Sequence, residues 1–319
     1  MPRSRTSARR TTIGVVFGCL LAFGCAPADA DQPAPNVLLS EAFDRGDLAS
    51  RGWYDMTSDF AVIPSTRPGG GAGVLQWHWN KGGDRPVVNA AVRHKFTPTD
   101  RVYLRYWVKY SPNWVGSGGP AHPHEFMLLT TEDDAFVGPA FTHLTAYVEH
   151  NWRATGGVPV VALQDGRNID QTRANTNLVG VTEQRAAHGC NGNADAFTSN
   201  VACYAVNATT RFNGRSFGEP TPVWSNDSTA PDFKGKWHLV EAYLQLNSIQ
   251  NGIGLANGVI RYWFDKRPVL DLSGMLMRTG QHPTMMFNQL MLGPYMGDGS
   301  PVDQSAWIDD LVVARARIN

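Results

Sequence analysis

The chain has 319 residues, 28 of them basic and 28 acidic, so it carries no formal net charge at neutral pH. With no basic block beyond the N-terminus, an electrostatic case for nucleic-acid binding is absent. The 32 glycines, 20 prolines and ten tryptophans, without a sustained 3.6-period apolar stripe, predict many strands joined by turns rather than helices.

Residues 1–30 read as an export signal. Arg3, Arg5, Arg9 and Arg10 make a basic head, and Ile13 to Phe23 an apolar stretch too short to span a bilayer. Two exits remain open: cleavage after Ala28-Asp29-Ala30, or lipidation of Cys25 within a loose lipobox. Either makes the mature chain extracytoplasmic, secreted or periplasmic, with no membrane-spanning segment. Residues 31–36 form a linker, and 37–319 are expected to be one domain and a monomer.

From Val37 the chain gives a first strand and an Asp-Arg-Gly-Asp turn. Short strands follow at 74–80 and 90–96, and a longer one at 101–110, where Arg101, Tyr103, Arg105, Trp107 and Lys109 alternate with Val102, Leu104, Tyr106, Val108 and Tyr110. His122-Pro123-His124-Glu125 then leads into the apolar run 126–129. Another alternating strand is expected at 141–152, with His143, Thr145, Tyr147, Glu149 and Asn151 on one side. Residues 164–232 are turn-rich with few strand candidates, the composition of a functional cover or the edge of a site. Within them, Cys190 and Cys203 bracket a polar Gly/Asn-rich loop in a compartment that permits disulfides, so they are expected to be bonded.

The strands expected at 236–247 and 259–265 are the most legible of all. Trp237, Leu239, Glu241, Tyr243, Gln245 and Asn247 share one face, and His238, Val240, Ala242, Leu244 and Leu246 the other, which places His238 with the core. Val259, Arg261, Trp263 and Asp265 alternate with Ile260, Tyr262 and Phe264. A wall of Tyr, Gln, Asn, Arg and Trp suits a sugar chain. Strands at 287–292 and 307–314 complete the set.

The segments WHLVEAYLQLNS, NGVIRYWFDKRPVLDL and WIDDLVVA, with RVYLRYWVKYSPNW and EAFDRGD before them, resemble the concanavalin A-like jelly roll. Within that superfamily they are most similar to polysaccharide lyases of the family 14 type and to secreted relatives. The resemblance implies an all-β fold, a two-sheet antiparallel sandwich with long loops and a groove for a glycan. In the enzymes it implies cleavage of uronic-acid polymers by β-elimination. The Arg-x-Glu-Leu, Gln-Ile-His and Tyr-Phe-Lys-x-Gly strands of family 7 alginate lyases do not occur; the nearest segment, NAAVRHKF, keeps Arg93 and lacks the acid.

β-Elimination needs a group that neutralises the uronate, a base for the C5 proton and an acid for the leaving oxygen. The candidates for proton transfer are His124, Lys109, Tyr147 and Tyr243, with His124 first because its ordinary pKa of about 6.5 leaves a neutral fraction at pH 7. Those for substrate binding are Arg105, Trp107, Glu149, Gln245, Asn247 and Arg261, and a common concave surface is expected to gather them. No cofactor is required for catalysis. Glu41, Asp44, Gly46 and Asp309, beside Asp47 and Asp310, form an oxygen-rich set that predicts a structural calcium ion. The pattern at 164–170 fails an EF-hand at Arg167, and His122 with His124 lacks a distant third metal ligand. Gly214-Arg215-Ser216-Phe217-Gly218 matches a nucleophile elbow, yet two prolines follow where a helix should stand. Two other readings compete with a lyase: a non-catalytic carbohydrate-binding sandwich, and a glycoside hydrolase, whose Glu-x-Asp-x-x-Glu strand is missing.

Overall fold

The computed structural model describes residues 37–55, 61–86, 92–118, 123–130, 144–165, 211–212, 215–218, 221–278 and 283–318. They all belong to one compact unit, Ala34–Asn319. Residues 1–30, expected to be an export signal, and with them Cys25, His122, Cys190 and Cys203, lie outside the described residues.

The strands in chain order are β1 (Val37–Glu41), β2 (Trp53–Asp55), β3 (Ala61–Pro64), β4 (Gly73–Trp79), β5 (Val92–Thr99) and β6 (Arg101–Tyr110). Next come β7 (Pro123–Thr130), β8 (Leu144–Arg153), β9 (Gly156–Asp165), β10 (Arg211–Phe212), β11 (Arg215–Gly218) and β12 (His238–Gln245). The chain ends with β13 (Ile249–Gln250), β14 (Ile253–Gly254), β15 (Gly258–Phe264), β16 (Arg267–Leu276), β17 (Phe287–Met296) and β18 (Gln304–Ala314). A 3-10 turn, Leu48–Arg51, sits between β1 and β2 and buries Leu48.

Two sheets result. The larger runs β10-β16-β15-β12-β6-β18-β4-β3, with β1 also on β18; the smaller runs β11-β9-β8-β7-β17-β5-β2. Every pairing within them is antiparallel except the short β10–β16 contact. The last strand occupies the middle of the larger sheet: β6 flanks it on one side, and β4 and then β1 pair along the other.

Alternation builds the core. Val102, Leu104, Tyr106 and Val108 of β6, with Val240, Ala242 and Leu244 of β12, pack against Leu144, Ala146 and Val148 of β8 and Leu290 and Leu292 of β17. Each large side chain buried here contributes on the order of 1.5–3 kcal/mol. At one end Trp152 and Trp224 meet Tyr110 edge-on, Trp114 meets it tilted, and Trp79 packs edge-on against Trp114.

The expected common surface is not formed. Tyr147 and Glu149 stand on β8 in the smaller sheet, whereas Arg105, Trp107, Lys109, Tyr243, Gln245 and Arg261 stand on β6, β12 and β15 in the larger one. Because the even residues of both β6 and β8 fill the core between the sheets, their odd residues face opposite outsides of the sandwich. Asn247 falls past the end of β12 and is fully buried; its side chain accepts from Met277 N and Arg278 N and donates to Arg278 O. It holds a chain crossing and presents nothing to a glycan. β9 covers a stretch to which the sequence pattern assigns no strand, because Val158 to Leu163 is buried on both faces and does not alternate.

Candidate active site and the opposite face

The outer face of the smaller sheet carries polar groups that are shielded from water. Arg93, Glu149 and Gln289 have no solvent exposure, and Tyr147 packs with Val160, Ala162 and Met291 in a second small cluster. Register aligns Tyr54, Arg93, Met291, Met127, Tyr147 and Ala162 in one row across β2, β5, β17, β7, β8 and β9. Arg93 and Tyr147 are therefore three strand spacings, about 14 Å, apart along the row.

The Arg93 guanidinium leans over β17, where its Nη1 donates to Gln289 Oε1 at 3.2 Å. Its Nε lies 3.0 Å from Asp55 Oδ2, and Gln289 in turn donates through Nε2 to the Tyr54 hydroxyl. Lys95 stands exposed at the rim, 5.9 Å from the centre of the Tyr54 ring. Burial raises the Tyr54 pKa in spite of the two cations beside it. Burial first, and the Glu149 charge second, push the Tyr147 phenol far above its ordinary value, so it stays protonated. A fixed guanidinium and amide beside the Tyr54 phenol, with the protonated Tyr147 farther along the same row, form a set able to bind a carboxylate at one point and deliver a proton at another. Burying an arginine on an outward sheet face is costly, which marks the cluster as a functional candidate. Arg93 could be singled out from the sequence, but nothing local marked Gln289, Tyr54 and Asp55, and Arg93 itself is followed by His94 and Lys95 in its strand.

His124 belongs to β7, and its backbone pairs with Tyr295 of β17, so it enters the smaller sheet beside β8. Its side chain lies outside the described portion.

The larger sheet presents a different outer face, half-exposed and laced with cation–aromatic contacts. Lys109 Nζ sits 5.3 Å from the Trp237 ring and 4.6 Å from the Trp307 ring, and donates to Thr66 Oγ1. Desolvation lowers its pKa. Arg67 covers Trp107 at 5.2 Å, and Arg317 covers Trp263 at 4.4 Å. The Tyr243 hydroxyl donates to Gln245 Oε1, burial raises its pKa, and Arg261 Nε meets Asp271 at 3.1 Å. These are closed local partnerships, on the sheet opposite the strands of His124 and Tyr147. His238 is core, as expected from its parity, held between Asp265 Oδ2 at 2.7 Å and the Phe233 carbonyl.

The acidic side chains expected to hold calcium are engaged by protein groups. Glu41 is occupied by Arg51, the Trp53 indole and the Phe43 amide. Asp309, with no exposed side chain, binds Arg67 Nε at 2.6 Å, and the same guanidinium reaches Asp310. Asp44 Oδ1 accepts the amides of Ala72 and Gly73. Gly46 lies in the open turn, with nothing near a Cβ placed there. The positive charge beside Asp309 is thus an arginine. Among the described residues no group of three or more His, Cys, Asp or Glu side chains is placed to hold a metal. Two glycines permit the arrangement: a Cβ on Gly71 would lie 2.0 Å from Asp44 Oδ1, and one on Gly70 2.8 Å from Asp309 Oδ2.

No protein-family model matches the chain, and no curated protein matches it. Solved structures do. The alginate lyase vAL-1 from Chlorella virus superposes with a TM-score of 0.54 at 11% identity, over 88% of this chain and 100% of that one. The alginate lyase Aly36B gives 0.50 at 15% identity, over 90% and 100%. The marine PL-14 alginate lyase from Aplysia kurodai gives 0.46 at 9%, over 87% and 98%. At such identities the likeness concerns the fold. No described helix is long and apolar enough to cross a membrane. The chain has the two-sheet antiparallel jelly-roll fold seen in polysaccharide lyases.

Proposed function

We propose that the protein is an exported polysaccharide lyase that cleaves a uronic-acid-containing glycan by β-elimination on the outer face of the smaller sheet. The observation that carries this reading is the buried Arg93–Gln289–Tyr54 cluster, whose Arg93 and Tyr54 share one register row with the protonated Tyr147. Alginate lyases with the same fold support it.

In this reading Arg93 and Gln289 bind the substrate carboxylate, which makes the C5 proton more acidic. A base takes that proton, and His124, in the strand beside Tyr147, is the first candidate. The C5–H electron pair becomes the C4=C5 double bond as the C4–O bond breaks. Tyr147 gives its proton to the departing oxygen and regains one from water. Of the two tyrosines considered for this step, Tyr243 is set aside because it lies on the other sheet.

Incubating the purified protein with alginate, polyglucuronate, hyaluronan and pectate, and following ultraviolet absorbance of unsaturated uronates, tests the reading. Product from one of them is expected, and product from none of them overturns it. The half-exposed Trp107, Trp237, Trp263 and Trp307 favour a second reading, a carbohydrate-binding protein without catalysis. Polymer binding without unsaturated product would select it.

A further inference from the structure

On the outer face of the larger sheet, a pocket of about 240 Å³ is lined by Arg105, Leu239, Glu241, Lys266, Arg317 and Ile318. It holds three cations against one carboxylate. Glu241 is nearly buried and already committed: Oε1 accepts from the Tyr103 hydroxyl and from Arg317 Nε, both at 2.8 Å, and Oε2 from Arg317 Nη2 at 3.1 Å. Arg105 sits directly opposite Glu241 in the β6–β12 register yet forms no ion pair with it, and its buried Nε has no hydrogen-bond partner among the described residues. Leaving a buried charged donor unsatisfied is costly unless something else satisfies it.

Lys266 supplies an independent sign. Asp265 and Lys266 are the two central residues of the β15–β16 hairpin, with φ of 48° and 66°. Glycine or asparagine is the residue favoured at such turn positions. Asp265 has a structural reason to be there, because it accepts from the Leu239 amide and bonds His238. Lys266 has none: it is exposed and makes no hydrogen bond or ion pair among the described residues, while its side chain lines the pocket. A lysine kept at a strained position with no internal partner points to an external one.

We propose that this pocket is a second binding site for the polymer, taking one carboxylate-bearing sugar unit. Arg105 and Lys266 grip the carboxylate, and Leu239 and Ile318 offer an apolar wall to the sugar ring. The proposal rests on the uronate reading above for the identity of the ligand, and the site lies on the sheet opposite Arg93 and Tyr147. It would hold the polymer without taking part in the chemistry.

The test compares the wild type with Lys266→Gly and Arg105→Gln. Melting temperature, binding of alginate and polyglucuronate tetrasaccharides by calorimetry, and steady-state kinetics on polymer are measured for each. Lys266→Gly relieves the turn and is expected to melt at the same temperature as the wild type or higher. Affinity through this site should nonetheless fall roughly threefold to tenfold, the scale of one charged contact. KM on polymer should rise by the same factor with kcat unchanged. Unaltered affinity and KM in both variants overturn the proposal. Equal binding of a neutral glucan tetrasaccharide, lost in the same variants, overturns the carboxylate assignment. If the wild type yields no unsaturated product while tetrasaccharide binding still depends on Lys266, the lyase reading fails and the pocket stands.

Discussion

His150 of the smaller sheet reaches through the core to Tyr262 of the larger, Nε2 to hydroxyl 2.5 Å, while its Nδ1 meets the Tyr110 hydroxyl at 2.7 Å. All three side chains are fully buried. A neutral imidazole has one donor and one acceptor, so one tyrosine donates to it and the other accepts from it. This is a polar bolt through a core built mainly of apolar contacts. Replacing His150 with Leu should lower the unfolding free energy by about 2–4 kcal/mol, since two buried hydroxyls lose a partner. Combining it with Tyr110→Phe and Tyr262→Phe should recover part of that loss, which urea denaturation of the variants would measure.

Arg67 is expected to do the work that a bound cation would do between the terminal segments. Arg67→Ala should cost about 3 kcal/mol, because it strands the unexposed Asp309 carboxylate. Chelators should leave the melting temperature of the wild type unchanged. Burial already holds the Asp309 pKa above its ordinary value against the pull of Arg67. A raised carboxyl favours the fold at low pH and loses that contribution as pH climbs through its folded value. The deficit of Arg67→Ala should therefore be small below pH ~4 and grow above it, as thermal melts across a pH series would show.

Tyr147→Phe removes the proposed proton donor and should reduce kcat by on the order of 10²-fold or more, with polymer binding retained. Burial and Glu149 both oppose ionisation of the phenol. The wild-type kcat–pH profile should consequently show no alkaline fall near pH ~10, where an ordinary tyrosine ionises.

Arg93→Lys keeps the charge and loses the planar fork that spans Gln289 and Asp55. A drop of about tenfold to a hundredfold in kcat/KM on uronate polymer is expected, corresponding to one charged hydrogen bond. An unchanged value would exclude Arg93 from carboxylate recognition.

Much of the fold could be read from alternation. β6 runs over the residues expected, and β12 and β15 nearly so, with the core parity of His238 included. What alternation cannot supply is partnership between sheets. β6 and β8 carry the same pattern of aromatic and charged residues, and nothing local assigns one to each side of the sandwich. The candidate site was hidden for a related reason: Arg93 and Gln289 are 196 residues apart and become neighbours only when β17 pairs with β5. Asn247 had the right parity, but the strand stops two residues before it, where Asn247 itself captures the Met277–Arg278 backbone.

The place of β18 has a consequence for how the molecule comes into being. Its 11 residues, synthesised after every other strand described, stand between β6 and β4 and also carry β1. Until they emerge from the ribosome, the larger sheet lacks its centre and the first strand has no partner. A nascent chain is thereby kept from closing early, and pairing across almost the whole sequence makes closure slow. A chain truncated before Gln304 would lose the strand that joins β1 to β6.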